Sequence, residues 1–190
     1  MDVMREFQIF REAFRRLRAG RALLVPMIVA VALAGCDWIP IPEREAEPPP
    51  PVTALEGYYS FPAGDLAFGM SGNVAQVTVT VDPEPYRMGG DLWAKALPYI
   101  FLFSEGTRSA FEDHPGLGGV RVRVLHPSGA TMSQAILARD EMSQREWREA
   151  LNIAGQARRD GTERPGLMTR LVHWGEDHTE FEYNPDYISP

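Results

Sequence analysis

Residues 22–36, ALLVPMIVAVALAGC, form the one strongly apolar run in this chain of 190 residues. A membrane-spanning helix needs about 20 apolar residues. Extension of the run through Trp38 and Ile39 approaches that length, with Asp37 near one end. Trp38 suits a membrane interface, Arg21 can snorkel at the opposite end, and Pro26 falls in the first turns, where a missing amide donor matters least. An uncleaved anchor over residues 22–39 is therefore one expectation. Residues 1–36 carry six Arg against Asp2, Glu6 and Glu12. The positive-inside tendency then keeps the head in the cytoplasm and sends the rest of the chain across the membrane.

The same stretch carries a competing reading. Leu33-Ala34-Gly35-Cys36 resembles the bacterial lipobox, after a positively charged start and a short apolar core. That resemblance implies cleavage before Cys36 and lipidation of its thiol, and Asp37 resembles a signal for retention in the inner membrane. Both readings put the body in the periplasm, tethered to the inner membrane. Cys36 is the only cysteine, so intrachain disulfides, CxxC redox chemistry and covalent haem are excluded for this chain alone. Residues 37–190 carry 13 basic and 23 acidic side chains, a net −10, which argues against nucleic acid as a partner.

Four segments follow from pattern. Residues 1–21 contain an amphipathic helix, with Phe7, Phe10 and Phe14 at spacings of three and four, a face suited to the inner leaflet or a membrane-protein neighbour. Residues 22–39 are the anchor or signal. Residues 40–54 hold six prolines and read as a semi-rigid spacer. Residues 55–190 read as a β-rich domain of the α+β class: an antiparallel sheet or small sandwich with one late helix and no βαβ alternation.

Within that domain the clearest strand is 74–81, with Val77, Val79 and Val81 on one face. Strands are also expected at 55–61, 99–103, 120–125, 131–137, 167–174 and 179–183. A helical turn over 92–97 ends at Pro98, and 62–73 and 105–119 read as loops. Ser143, with Glu146 three residues on, forms a capping box that opens a helix whose apolar face is Trp147, Ala150, Leu151 and Ala154.

No stretch carries a recognised catalytic motif. His173, Glu176, Asp177 and His178 are the residues most able to hold a divalent metal or pair an imidazole base with a carboxylate, although their spacing fits no zinc pattern. On a strand–turn–strand they form a polar hairpin tip instead. Glu112, Asp113 and His114 form a second acidic–His group. Arg121 and Arg123 make a basic stripe that either pairs with acidic cross-strand neighbours or docks an acidic partner. Tyr58, Tyr59 and Phe61 lie in an aromatic, Gly-rich stretch of the kind enriched at interfaces.

The expectation is a tethered periplasmic accessory subunit, without cofactor, that binds and stabilises a larger membrane-protein complex; an energy-transducing assembly such as a photosynthetic reaction centre is one such host. The alternatives are a lipoprotein that binds a small ligand or cell-wall component, and a metal-assisted hydrolase built on residues 173–178.

Overall fold

In the computed structural model, which describes residues 47–82 and 91–188, period-two alternation builds five strands. β1 (Asp65–Ser71) and β2 (Val74–Thr80) form a hairpin closed by Gly72 and Asn73, and Gly72 sits at φ +60°, where a side chain would be strained. β3 (Gly119–Leu125) lies parallel to β2, β4 (Thr131–Ala138) is antiparallel to β3, and β5 (Glu180–Tyr183) completes the sheet antiparallel to β4. The spatial order is the chain order, β1 to β5. The described chain is thus α+β with a mostly antiparallel sheet.

Helices cover one face of this sheet. Val77, Val122 and Ala135 stand in one cross-strand row, Val79, Val124 and Ser133 in the next, and all six are buried beneath them. A short helix α1 (Val52–Leu55) and a 3-10 turn (Glu56–Tyr58) lead into the sheet. Four longer helices follow: α2 (Asp91–Leu102), α3 (Glu105–Asp113), α4 (Gln144–Asp160) and α5 (Pro165–His178). The capping box at Ser143 and Glu146 opens α4 as expected. The single late helix and the sandwich alternative are both corrected: among the described residues helices, not a second sheet, close the core. The β2–α2–α3–β3 segment is a helical crossover between parallel neighbours, which the expectation of no βαβ alternation excluded.

The corrections have local causes. Residues 99–103 are not a strand: 99–102 are the last turn of α2 and Phe103 follows it, and α2 is apolar nearly all round because it packs on the sheet, α4 and α5 together. Pro98 does not end it. Proline lacks the N–H that would reach Ala94 O, and the buried Ser133 hydroxyl donates to that carbonyl from β4 at 2.6 Å. Residues 105–113 are helical because Ser104 caps them, its Oγ accepting from Thr107 N, while Thr107, Ala110 and Phe111 face inward. Residues 167–174 are helical too: Met168, Leu171, Val172 and Gly175 are buried at a 3–4 spacing behind Pro165 in the first turn. Residues 55–61 are helical turn and coil, and the expected loop 62–73 contains β1.

The proline-rich segment enters the described chain at Glu47. Its backbone carbonyls at Glu47 and Pro48 lie so close to Gly116 that a Cβ there would collide with them, and Pro50 is buried. This end of the segment therefore lies against the β3 side of the domain. The expected N-terminal helix with Phe7, Phe10 and Phe14, the anchor, Cys36 and residues 40–46 lie outside the described residues. Among those described, no helix is long and apolar enough to cross a membrane.

Candidate binding cleft

Tyr58 and Phe61 border a cleft of about 500 Å³ between the segment 58–62, helix α2 and helix α4. The chain is drawn into this position by Tyr59, which is buried: its ring stacks 6.0 Å from Phe68 and lies 6.4 Å from Phe101, and its hydroxyl meets Thr107 Oγ1 at 3.0 Å. Burial pushes the Tyr59 hydroxyl up to about 12, so it stays protonated. Tyr59 is thus a core residue that positions its neighbours, while Phe61 packs edge-on to Phe101 at 5.6 Å.

Tyr58 faces the far end of α3. Its hydroxyl donates to Asp113 Oδ2 at 2.8 Å and lies 3.2 Å from His114 Nε2, with the two rings edge-to-face. Burial first, then the bond to the Asp113 carboxylate, holds the phenol above its ordinary pKa. The acidic–His group at 112–114 thereby splits. Asp113 and His114 fix Tyr58, while Glu112 lies 3.4 Å from Arg108 on the same helix.

The remaining walls come from Trp93, Leu97 and Ile100 on α2, and Leu151, Ala154 and Gly155 on α4. Gly155 leaves the cleft open on the α4 side: a Cβ there makes only ordinary contact, 3.5 Å from Arg159 Nη1. Arg158 stands at the rim, exposed, with no ion-pair partner among the described residues. Ser104, Glu105 and Gly106 at the start of α3 complete the lining, and Glu105 is held by Arg108 at 3.2 Å. The result is an aromatic and aliphatic slot whose rim carries the cation of Arg158 and the paired acid of Glu105. Such an arrangement holds apolar groups by excluding water from them, and the cation favours an occupant with a negative end.

His173, Glu176, Asp177 and His178 do not converge. They lie on α5, not on a strand–turn–strand, and among the described residues no three His, Cys, Asp or Glu side chains come together as a metal site would require. His173 and Asp177 are exposed. His178 stacks on Trp174 at 4.3 Å with Nδ1 2.8 Å from the Trp174 carbonyl. Glu176 accepts from the Tyr183 hydroxyl at 3.1 Å. Arg121 and Arg123 point from β3 to the sheet face opposite the helices, away from the cleft.

The chain matches no known protein family, no curated protein and no solved structure. The cleft has to be read from its own chemistry. Sequence pattern found Tyr58 and Phe61, because aromatic residues beside glycine and proline are unusual in loops. It missed Trp93 and Ile100, since the α2 run was divided between a turn and a strand, and it missed Gly155 and Arg158, which lie on the correctly expected α4 but outside the apolar face that marked it.

Proposed function

We propose that this chain is a membrane-tethered binding subunit of the bacterial inner membrane, with its body in the periplasm, and that the cleft between residues 58–62, α2 and α4 receives an apolar segment of a membrane-protein complex. The observation that carries the reading is the cleft's lining: partly exposed Tyr58, Phe61 and Trp93 around a slot with Arg158, unpaired among the described residues, at its rim. Aromatic residues with Arg are the side chains that dominate binding energy at protein interfaces. The tether supports a partner at the membrane. Glu47 lies eight positions after Ile39, and an extended chain spans at most about 3.6 Å per residue, so the spacer reaches no more than roughly 30 Å.

A lipoprotein carrying a small ligand is the second reading, favoured by the cleft volume of about 500 Å³, within the range of about 300–1,000 Å³ common for small-molecule sites. Gentle detergent extraction from native membranes, followed by sizing and mass spectrometry, separates the two. The binding-subunit reading expects a large stoichiometric complex that includes peptides from before Cys36. A chain that runs alone and begins at a lipidated Cys36 contradicts it.

A further inference from the structure

The sheet face opposite the helices carries two charge columns. The register places Arg121 beside Gln76 and Ile136, and Ile136 beside Glu180; one row along, Arg123 lies beside Thr78 and Gln134, and Gln134 beside Glu182. Acidic cross-strand neighbours, the ordinary explanation for two arginines on one strand, are therefore missing from the positions next to them. Neither arginine has an ion-pair partner among the described residues. The acids stand two strands away on β5, where Gln134 Nε2 donates to Glu182 Oε2 at 2.7 Å. Read across β3, β4 and β5, the face runs positive, neutral, negative in both rows.

Such a face is complementary to itself. We propose that it is the contact between two copies of this chain, related by a twofold axis that runs along β4. That rotation keeps each row at its own height and exchanges its ends. Arg121 of one copy then faces Glu180 of the other, Arg123 faces Glu182, and Ile136 meets its own equivalent on the axis, as an isologous contact requires. Both pairs recur by symmetry, giving four in all, so the contact discriminates against sheet faces of uniform charge.

Area and chain direction say when it forms. Three overlapping strands about 4.8 Å apart and four to six residues long cover only a few hundred Å² per copy, below the roughly 800 Å² per partner of a stable complex. The contact is therefore weak between free molecules and forms where a shared tether raises the effective concentration. The entering segment suits this arrangement. Glu47 and Pro48 lie against Gly116, beside the strand end where β3 begins and β4 finishes. An axis along the strands puts both entry points at the same end, toward one surface. This shared-membrane clause rests on the tethered reading above; the charge pattern does not.

The test uses the full chain in phospholipid vesicles, with C36S and I136C introduced together, and a bis-maleimide spanning about 10 Å, the ordinary separation of facing sheets. A cross-linked dimer is expected. R121E/R123E and E180R/E182R should each reduce it at least fivefold, and an equimolar mixture of the two should restore it as the mixed dimer. If the chain does not hold to vesicles, the same mixing experiment at high protein concentration in solution reads the face alone, and restoration there supports the contact while removing the tether. No dimer in the parent, or losses that mixing does not restore, overturns the proposal. So does loss of a bound partner with R121E/R123E alone, which would mean that a different acidic molecule occupies the face.

Discussion

Ser133 on β4 donates its hydroxyl hydrogen to Ala94 O on α2 at 2.6 Å, and Ala94 is the residue whose carbonyl Pro98 leaves without a helical donor. The contact explains two anomalies together. A serine is fully buried in the row Val79–Val124–Ser133, and a proline sits inside the most buried helix of the domain. Each is costly alone. S133A should therefore lower stability by about 1–3 kcal/mol, because a buried carbonyl loses its donor. In a P98A background the restored N–H supplies that donor, and the same S133A change should cost clearly less. Denaturant titration of the four variants checks the coupling; simple additivity would contradict it.

A second join ties the edge strand to the helices. The Tyr99 hydroxyl donates to Tyr183, 2.6 Å away, which in turn donates to Glu176. Burial pushes Tyr99 up to about 12, and burial together with the Tyr99 contact raises Tyr183 further. A phenol whose pKa is higher folded than unfolded contributes fully below the unfolded value near 10 and loses that contribution as pH rises above it. Stability should thus fall steeply between about pH 10 and 12, and Y99F should flatten that slope. An unchanged alkaline slope in Y99F would show that the Tyr99 proton is not what the fold protects.

Gly175 exists for the same junction. A Cβ at this position on α5 would collide with the Tyr99 ring, so the two helices approach as closely as they do because no side chain intervenes. G175A should cost about 1–3 kcal/mol by overpacking, despite alanine's better helix propensity. A stabilised G175A, read by thermal unfolding, would contradict this packing.

Arg139 closes the other end of the domain without a carboxylate. Its guanidinium donates to the carbonyls of Phe111 at 2.6 Å, Leu117 at 2.6 Å and His114, and lies 5.2 Å from the Phe111 ring. Replacement by Met keeps the packed stem and leaves three acceptors without this donor, at a cost of about 2–3 kcal/mol. R139K should recover only part of it, since an ammonium cannot reproduce the planar fork. Equal stability of the two variants in urea would remove the fork from the account.

Strands that alternate cleanly were legible: β2, β3, β4 and β5 follow Val77, Val122, Ala135 and Phe181 in register, and the Ser143–Glu146 box marked α4. The helices read as strands were of two kinds. In α2 the apolar residues fall on every side, so no period separates a buried helix from a buried strand, and Pro98 points the wrong way until Ser133 is seen across from it. In α5 the spacing of Met168, Leu171, Val172 and Gly175 was visible in the sequence, and the β-branched Val172 and aromatic Trp174 obscured it. The cleft was half legible for the same reason: its 58–62 wall stood out by composition, whereas its α2 wall depended on reading that helix correctly.

The most direct measurement of the central claim is co-extraction of the full chain with its membrane partners, parent against G155L. Gly155 opens the cleft from α4, and a leucine there fills the slot while gaining about 0.8 kcal/mol of helix propensity or somewhat less. An unchanged or raised melting temperature is expected, together with loss of the co-extracting proteins by tenfold or more. Full retention of those partners on a folded G155L chain would show that the cleft is not where they bind.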